Sequence, residues 1–261
     1  MAWENDNGRC LMTDAFRWIV VNAREYLECV PLAARARHLF STRQLELPAD
    51  HALRRRNIAV FAADLGVKAE HLLRAKQVHG RHVLVVEDAP GETAGLSEAD
   101  AIVSAAAGTA CAVQVADCVP ILIAGRHAAA AVHAGWRGTA AGVASEAVRA
   151  LERLGATPST LVAALGPSIG PCCYQVDARV RDAFARSEHW DVAEGAFAPD
   201  GDGHWRLDVA RINRRLLEQA GVPAGQIHES RLCTACDPGR FYSYRAEGAG
   251  TGRLIAGIAV R

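Results

Sequence analysis

The sequence contains no run of eighteen consecutive apolar residues, which excludes a conventional membrane-spanning helix. It also lacks an excess of either charge. Lys plus Arg and Asp plus Glu number 29 each, so there is no global basic field to gather nucleic acid, and an anionic ligand has to be held locally. The opening Met1-Ala2-Trp3-Glu4-Asn5-Asp6 carries acid where an export signal carries base followed by an apolar stretch. These deficits predict a cytoplasmic protein with neither nucleic-acid nor membrane partners. No internal repeat or low-complexity tract interrupts the chain.

What is present fits an enzyme-sized core. The chain has 261 residues, half of them apolar and 22% charged, which is enough to bury a single large domain. Its eight cysteines, in a chain of this length without an export signal, are expected to be reduced and to form no structural disulfide. Short apolar runs at His82–Val86, Ala101–Val103, Cys111–Val115, Val119–Ile123 and Ala128–Val132 are rich in small and β-branched residues, as strands are. Their near-continuous apolarity predicts a sheet covered on both faces. Helices are predicted over Thr139–Leu154, ending at Gly155, over Asp177–Ser187, and over Asp208–Ala220 before Gly221-Val222-Pro223. Leu254–Val260 reads as a closing strand, and Trp18–Val21 as an early one. Glycine-rich Ala89–Gly95 and Ala198–Gly203 read as surface loops or turns. The element order gives a mixed α/β domain without fixing strand order.

Three separated segments each offer a soft donor: Gln77-Val78-His79-Gly80, Ala116-Asp117-Cys118-Val119-Pro120 and His133-Ala134-Gly135-Trp136-Arg137-Gly138. Two imidazoles and a thiolate, with a fourth position left to water, describe a catalytic zinc site assembled by the fold. Singly, each residue has a plainer explanation. His79 alone is a loop histidine, and a lone cysteine such as Cys118 packs as a small hydrophobe. Asp117 and Pro120, flanking Cys118, mark a strand end that faces a cleft. After His133, a glycine turn and a helix starting near Thr139 would place free backbone amides and Arg137 against an anion. The plainer reading is an ordinary connection with a solvated arginine.

The segments KQVHG, VADCVPIL, HAGWRGTAAG, LGPSIGPCCYQV and CTACDPGRFYSYR, in that order, closely resemble the YfiH-like laccase-domain family. This family is also called polyphenol oxidase-like and is regarded as purine nucleoside phosphorylases. The resemblance covers roughly residues 38–261 and leaves residues 1–37 as an N-terminal extension of uncertain structure. It implies a single-domain α/β/β/α sandwich with mixed sheets, with zinc on His79, Cys118 and His133. The implied reaction is phosphorolysis of adenosine, inosine and S-methyl-5′-thioadenosine, with some adenosine deamination, by a monomer or homodimer. Under the resemblance, Arg43, Arg137 and Arg245 are candidates to bind phosphate, since guanidinium forks suit its geometry, and Asp117 is a candidate acid or base.

Copper is the less suitable metal. A blue-copper centre usually adds an axial methionine, and multi-copper oxidation needs clustered imidazoles. The only methionines are Met1 and Met12, and no His-x-His pair occurs. A competing reading keeps Cys118 as a nucleophile activated by His133 or His79, making a cysteine hydrolase acting, for example, on a peptidoglycan precursor. Cys233-Thr234-Ala235-Cys236 and Cys172-Cys173 are expected to pack or to line the cleft, because adjacent cysteines make a poor half of a tetrahedral site. Phe241–Tyr244 reads as a strand with one buried side, or as a face on which a purine stacks. After Ser41-Thr42-Arg43 the chain runs Gln44-Leu45-Glu46-Leu47-Pro48 where the family usually has paired glycines, which weakens the case for Arg43.

Overall fold

Successive residues of the central strands enter different cores, which is the two-residue period of β structure made visible. Ala101 and Val103 pack into one apolar cluster, while Ile102 packs into another. The computed structural model describes residues 12–48, 50–88 and 97–260. One six-stranded sheet runs in the order Ile227–Glu229, Val162–Leu165, Val119–Ala124, Ala129–Ala134, Ala101–Ser104 and Val83–Val86. Both outermost pairs are parallel and the inner ones antiparallel. A second sheet has the order Phe16–Val21, Arg24–Cys29, His38–Ser41, Leu254–Ala259, Ala110–Val115 and Leu72–Leu73. The strand expected at Trp18–Val21 therefore lies at its edge.

The two sheets share a core in which Ile102, Leu122 and Ala131 meet Leu27, Phe40, Val113 and Ile258. On the outer face of the first sheet, helices Val143–Arg153, Ala178–Ala185 and Val209–Gln219 cover Val103, Ile121 and Val132. On the outer face of the second sheet, helix His51–Leu65 places Ile58, Phe61 and Leu65 against Leu39, Ala112 and Ile255. The result is the α/β/β/α sandwich, and the continuous apolarity of the strands follows from coverage on both faces. Among the described residues no helix is long and apolar enough to cross a membrane.

Several expectations are corrected. The single helix predicted over Thr139–Leu154 is two, Trp136–Ala140 and Val143–Arg153. Between them Gly142 takes φ 82°, where a Cβ would also collide with the His189 ring. Pro120 lies inside its strand, paired with His133, and does not end it. Phe241–Tyr244 is no strand. Phe241 and Tyr242 are buried in irregular chain, and Ser243 caps a short helix, Tyr244–Glu247, by accepting from the Ala246 N–H. Of Ala198–Gly203, Ala198 and Pro199 belong to a strand of a small antiparallel sheet and only Asp200–Gly203 turns, while Ala89–Gly95 lies outside the described residues.

Helix His51–Leu65 was not foreseen because its apolar side chains spread around the axis instead of forming one stripe. Asp50 caps its start by accepting from Leu53 N, and Gly66 closes it at φ 87°. Preceding it, Leu45 and Leu47 are buried, so the Gln44–Pro48 segment packs into the core where the family usually has a glycine loop. Phe61 is the anchor of this layer: it is fully buried, and a Cβ at Gly257 would come within 2.8 Å of its ring. Phe61→Ala should cost about 3–5 kcal/mol, read as a fall in the urea midpoint without a change of slope.

Candidate metal centre and cleft

Asp100 organises this region. It sits immediately before the Ala101–Ser104 strand and is fully buried. Its carboxylate accepts from the imidazole Nδ1 of His133 at 2.8 Å and from the backbone N–H groups of Val78, His79 and Gly80 at 3.3, 2.9 and 2.6 Å. One buried acid thus orients one candidate ligand and pins the turn that carries another. The turn is held a second time by Gln77, whose amide exchanges two hydrogen bonds with the backbone of Gln114, at 2.7 and 2.8 Å. His79 consequently stands at φ 59°, an uncommon conformation for a residue with a side chain.

Cys118 arrives from the tight connection between the Ala110–Val115 and Val119–Ala124 strands, and its Sγ is 4.0 Å from His79 Nδ1. One donor atom from each of His79, Cys118 and His133 lies within 4.8 Å of the others, so the three predicted residues converge and the group could hold a metal ion. The two imidazoles meet edge to face, with centroids 4.7 Å apart. Gly135 allows this approach, since a Cβ there would fall 2.9 Å from His79 Nδ1 and 3.0 Å from Cys118 Sγ. The donor set fits zinc. It has two nitrogens and one sulfur, and a carboxylate fixes one imidazole through its other nitrogen, as ligating histidines commonly require.

Without a metal, the same proximity makes an ion pair. Burial opposes charge on Cys118, but hydrogen bonds and charge from His133 and His79 outweigh it and bring the thiol down to about 6. Burial likewise opposes charge on His133, yet Asp100 and Cys118 raise it to about 9. The carboxylate of Asp100 is desolvated too, and is nonetheless held below its ordinary value by His133 and by the amides of Gly80 and His79. Both shifts favour a thiolate paired with an imidazolium, and the thiolate is the form that a cation would need at sulfur.

The trio lines a cleft of about 940 Å³. Arg137 and Arg245 also line it. Arg137 stacks on the Trp136 ring at 4.3 Å, and Arg245 lies 5.0 Å over Tyr174 while donating to Gln175 O at 2.9 Å. The helix after the glycine turn has only five residues, so the anion site foreseen at its N-terminus has no developed helix behind it. Asp117 reaches the lining with both carboxylate oxygens engaged, one by Thr234 Oγ1 at 2.6 Å and one by Arg245 N at 2.7 Å. Arg43 is not in the lining. Its guanidinium pairs with Glu247 at 3.2 Å, donates to Phe241 O and covers the Tyr242 ring.

The sequence did not single out Asp100, nor the cations Arg54, Arg74, Lys76 and Arg253 that share the cleft. The one signal for Asp100 was its place directly before the apolar run Ala101–Val103, since an acid carried into a core by such a run needs partners there. Arg74 offered none, being one arginine among many. Burial, and then the charge of Arg54, press its pKa below the ordinary arginine value.

Fold and site together define a four-layer α/β protein with a soft-donor group open to a cationic cleft. The chain belongs to the family described as multi-copper polyphenol oxidoreductase laccase, whose model matches residues 47–261. It is 43% identical over 183 residues to a Pseudomonas aeruginosa protein named purine nucleoside phosphorylase PA4543, covering 69% of this chain and 70% of that protein. It is 35% identical over 206 residues to adenosine deaminase RL5 of an unknown prokaryotic organism, covering 76% of this chain and 78% of that one. The crystal structure of Bacillus licheniformis hypothetical protein YfiH superposes with a TM-score of 0.84 at 28% identity, covering 95% of this chain and all of the other. The YfiH-like resemblance drawn from the motifs holds.

Two predictions test the site. Asp100→Asn should weaken zinc binding by about 10–100-fold in chelator competition, because His133 loses its orienting charge. In metal-free protein, alkylation of Cys118 should rise through a midpoint near pH 6 as the thiolate forms. His133→Asn should move that midpoint upward by roughly 1–2 units, and bound zinc should abolish the reaction.

Proposed function

We propose that the protein is a zinc-dependent purine nucleoside phosphorylase. It uses inorganic phosphate to cleave adenosine, inosine and S-methyl-5′-thioadenosine to the base and the corresponding (methylthio)ribose 1-phosphate, with adenosine deamination as a second activity. The names of the relatives point to this chemistry. The observation that carries it is a desolvated arginine, Arg74, beside a second arginine, Arg54, in the same cleft as the His79, Cys118 and His133 group. Among the described residues no carboxylate pairs with Arg54, Arg74 or Arg253. Arg54 donates to Pro48 O, and Arg253 to Thr251 O and Gly252 O. A dianionic oxyanion supplies the charge these groups lack, and guanidinium forks match its geometry.

In this reading phosphate is held by Arg74 and Arg54, and one of its oxygens bonds to C1′ as the bond from C1′ to the purine nitrogen breaks. The electron pair leaves with the base, which then needs a donor. Tyr174 meets that need. Burial, and then the charge of Cys118, push its phenol up to about 12, so it stays protonated and able to donate throughout the neutral range. Arg137 and Arg245 supply further guanidinium donors to the bound reactants. Asp117 acts as a positioning residue, since its two oxygens tie Thr234 to the backbone of Arg245. Zinc on His79, Cys118 and His133 supplies Lewis-acid chemistry when bound, the capacity on which deamination draws.

A second reading has its own support in the low thiol pKa of Cys118 beside His133, which suits a cysteine nucleophile. Zinc protection against alkylation favours the metal site, while undiminished alkylation and loss of activity in metal-replete protein favour the nucleophile. The reaction itself is tested by following base and ammonia release from adenosine and inosine with and without phosphate. Phosphate-dependent base release is expected, and ammonia alone would make the protein a deaminase. Arg74→Met should raise the KM for phosphate by about tenfold or more, with a smaller change in kcat. The same effect from Arg137→Met but not from Arg74→Met would move the phosphate to Arg137.

A further inference from the structure

We propose that Cys172, Cys173, Cys233 and Cys236 form a second metal site, distinct from the cleft, in which four thiolates hold one zinc ion tetrahedrally. The four were expected to pack or to line the cleft, and they do not line it. They converge instead. Their sulfur atoms all lie within 4.8 Å of one another, and Cys236 Sγ is 3.5 Å from Cys172 Sγ and 3.4 Å from Cys173 Sγ. A tetrahedron with Zn–S bonds of about 2.3 Å has edges of roughly 3.8 Å, so these separations are those of a thiolate cage and need only small adjustment. Cys236 stands almost equally close to two partners, so the arrangement singles out no disulfide pair.

The surrounding backbone is built to deliver the sulfurs. Cys172 and Cys173 occupy a turn in which the N–H groups of Cys173 and Tyr174 both donate to Gly170 O at 3.0 Å. Cys233 and Cys236 close another, with Cys236 N donating to Cys233 O at 3.2 Å. The two segments are laced together through Ser168, whose N–H donates to Leu232 O and whose carbonyl accepts from Thr234 N. Across this seam Gly170 N donates to Cys233 Sγ at 3.3 Å, an N–H to sulfur contact that favours the thiolate over the thiol. On spacing alone, adjacent Cys172 and Cys173 make a poor half-site. The turn at Gly170 removes that objection by placing both sulfurs near Cys236. Four sulfur donors and no nitrogen or oxygen select a soft tetrahedral cation.

The consequence is structural support for the cleft. Ile169 N donates to Asp117 O, Thr234 Oγ1 donates to Asp117 Oδ1, and Tyr174 follows Cys173 directly. An ion joining the two cysteine segments fastens the wall that carries Tyr174 and the partner of Asp117. Metal analysis of protein purified without chelator from zinc-supplemented cells tests this independently of the His79, Cys118 and His133 group. About two zinc ions per chain are expected for the wild type, about one for Cys236→Ser and for Cys173→Ser, and about one for His133→Asn, which empties only the other site.

In cobalt-loaded His133→Asn protein the strong thiolate charge-transfer and tetrahedral bands should persist, and the further change Cys236→Ser should remove them. Because Cys236 is exposed, its substitution should leave the fold intact by circular dichroism, and Cys173→Ser provides a second variant. Equal zinc in the wild type and both cysteine variants would overturn the proposal. So would iron in place of zinc, or a disulfide among the four in freshly isolated protein.

Discussion

The bond from the His133 imidazole to the Asp100 carboxylate is the constraint on which the site rests. A buried carboxylate is costly to desolvate, and here the cost is offset by one imidazole and three backbone N–H donors. Three of those donors are the consecutive Val78, His79 and Gly80 and the fourth is His133, more than fifty residues later, so satisfying one acid also fixes the relative positions of His133 and His79. The strand pairing does the rest. His133 lies opposite Pro120 and Ala134 opposite Val119, which brings Cys118, one residue earlier, alongside the glycine turn. The convergence of three donors is thus a consequence of register and of one buried charge, and it exists before any cation arrives.

Preorganisation of this kind has a chemical effect. An imidazole already hydrogen-bonded to a carboxylate at Nδ1 can offer only its other nitrogen, so its tautomer and direction are set. The thiolate of Cys118 is then stabilised by a neighbour that is itself stabilised by Asp100. In the metal-free protein the three form a relay of alternating charge, and a divalent cation would take over the role of the proton on His133. This explains why the same residues support both a metal centre and a nucleophilic cysteine on paper, and why protection of the sulfur separates the two.

Much of this was legible in the sequence, for identifiable reasons. The strands were found because Ala101–Val103, Cys111–Val115 and Val119–Ile123 are short, mostly apolar and rich in small and β-branched residues, and the three donors chiefly because their segments match the motifs of the family. The break at Gly142 was missed because a glycine among good helix formers gives no hint that it takes a positive φ. Asp100 was missed because its partners are brought to it only by the sheet. Arg54 and Arg74 were missed because cations become informative only when the fold shows that no carboxylate is near. The four cysteines were undervalued for the same reason, since sequence spacing says little when two loops are laced by backbone hydrogen bonds such as those through Ser168.

Charge distribution links these observations. With equal numbers of acids and bases, the chain exerts little field at a distance, and whatever field exists beyond about 8–10 Å is screened by physiological salt. Yet Arg54, Arg74, Lys76, Arg137, Arg245 and Arg253 share one cleft, where low-dielectric walls keep screening weak. Of the six, Lys76 is compensated by Glu98 at 2.9 Å, and the guanidinium of Arg245 by a carbonyl alone. The cleft therefore carries uncompensated positive charge beside a thiolate at Cys118. An anion entering it is drawn by the arginines and repelled by the sulfur, and a cation on the sulfur, two imidazoles completing its set, removes the repulsion. A metal on these donors and an anion in the cleft would for that reason be coupled through charge, each favouring the other.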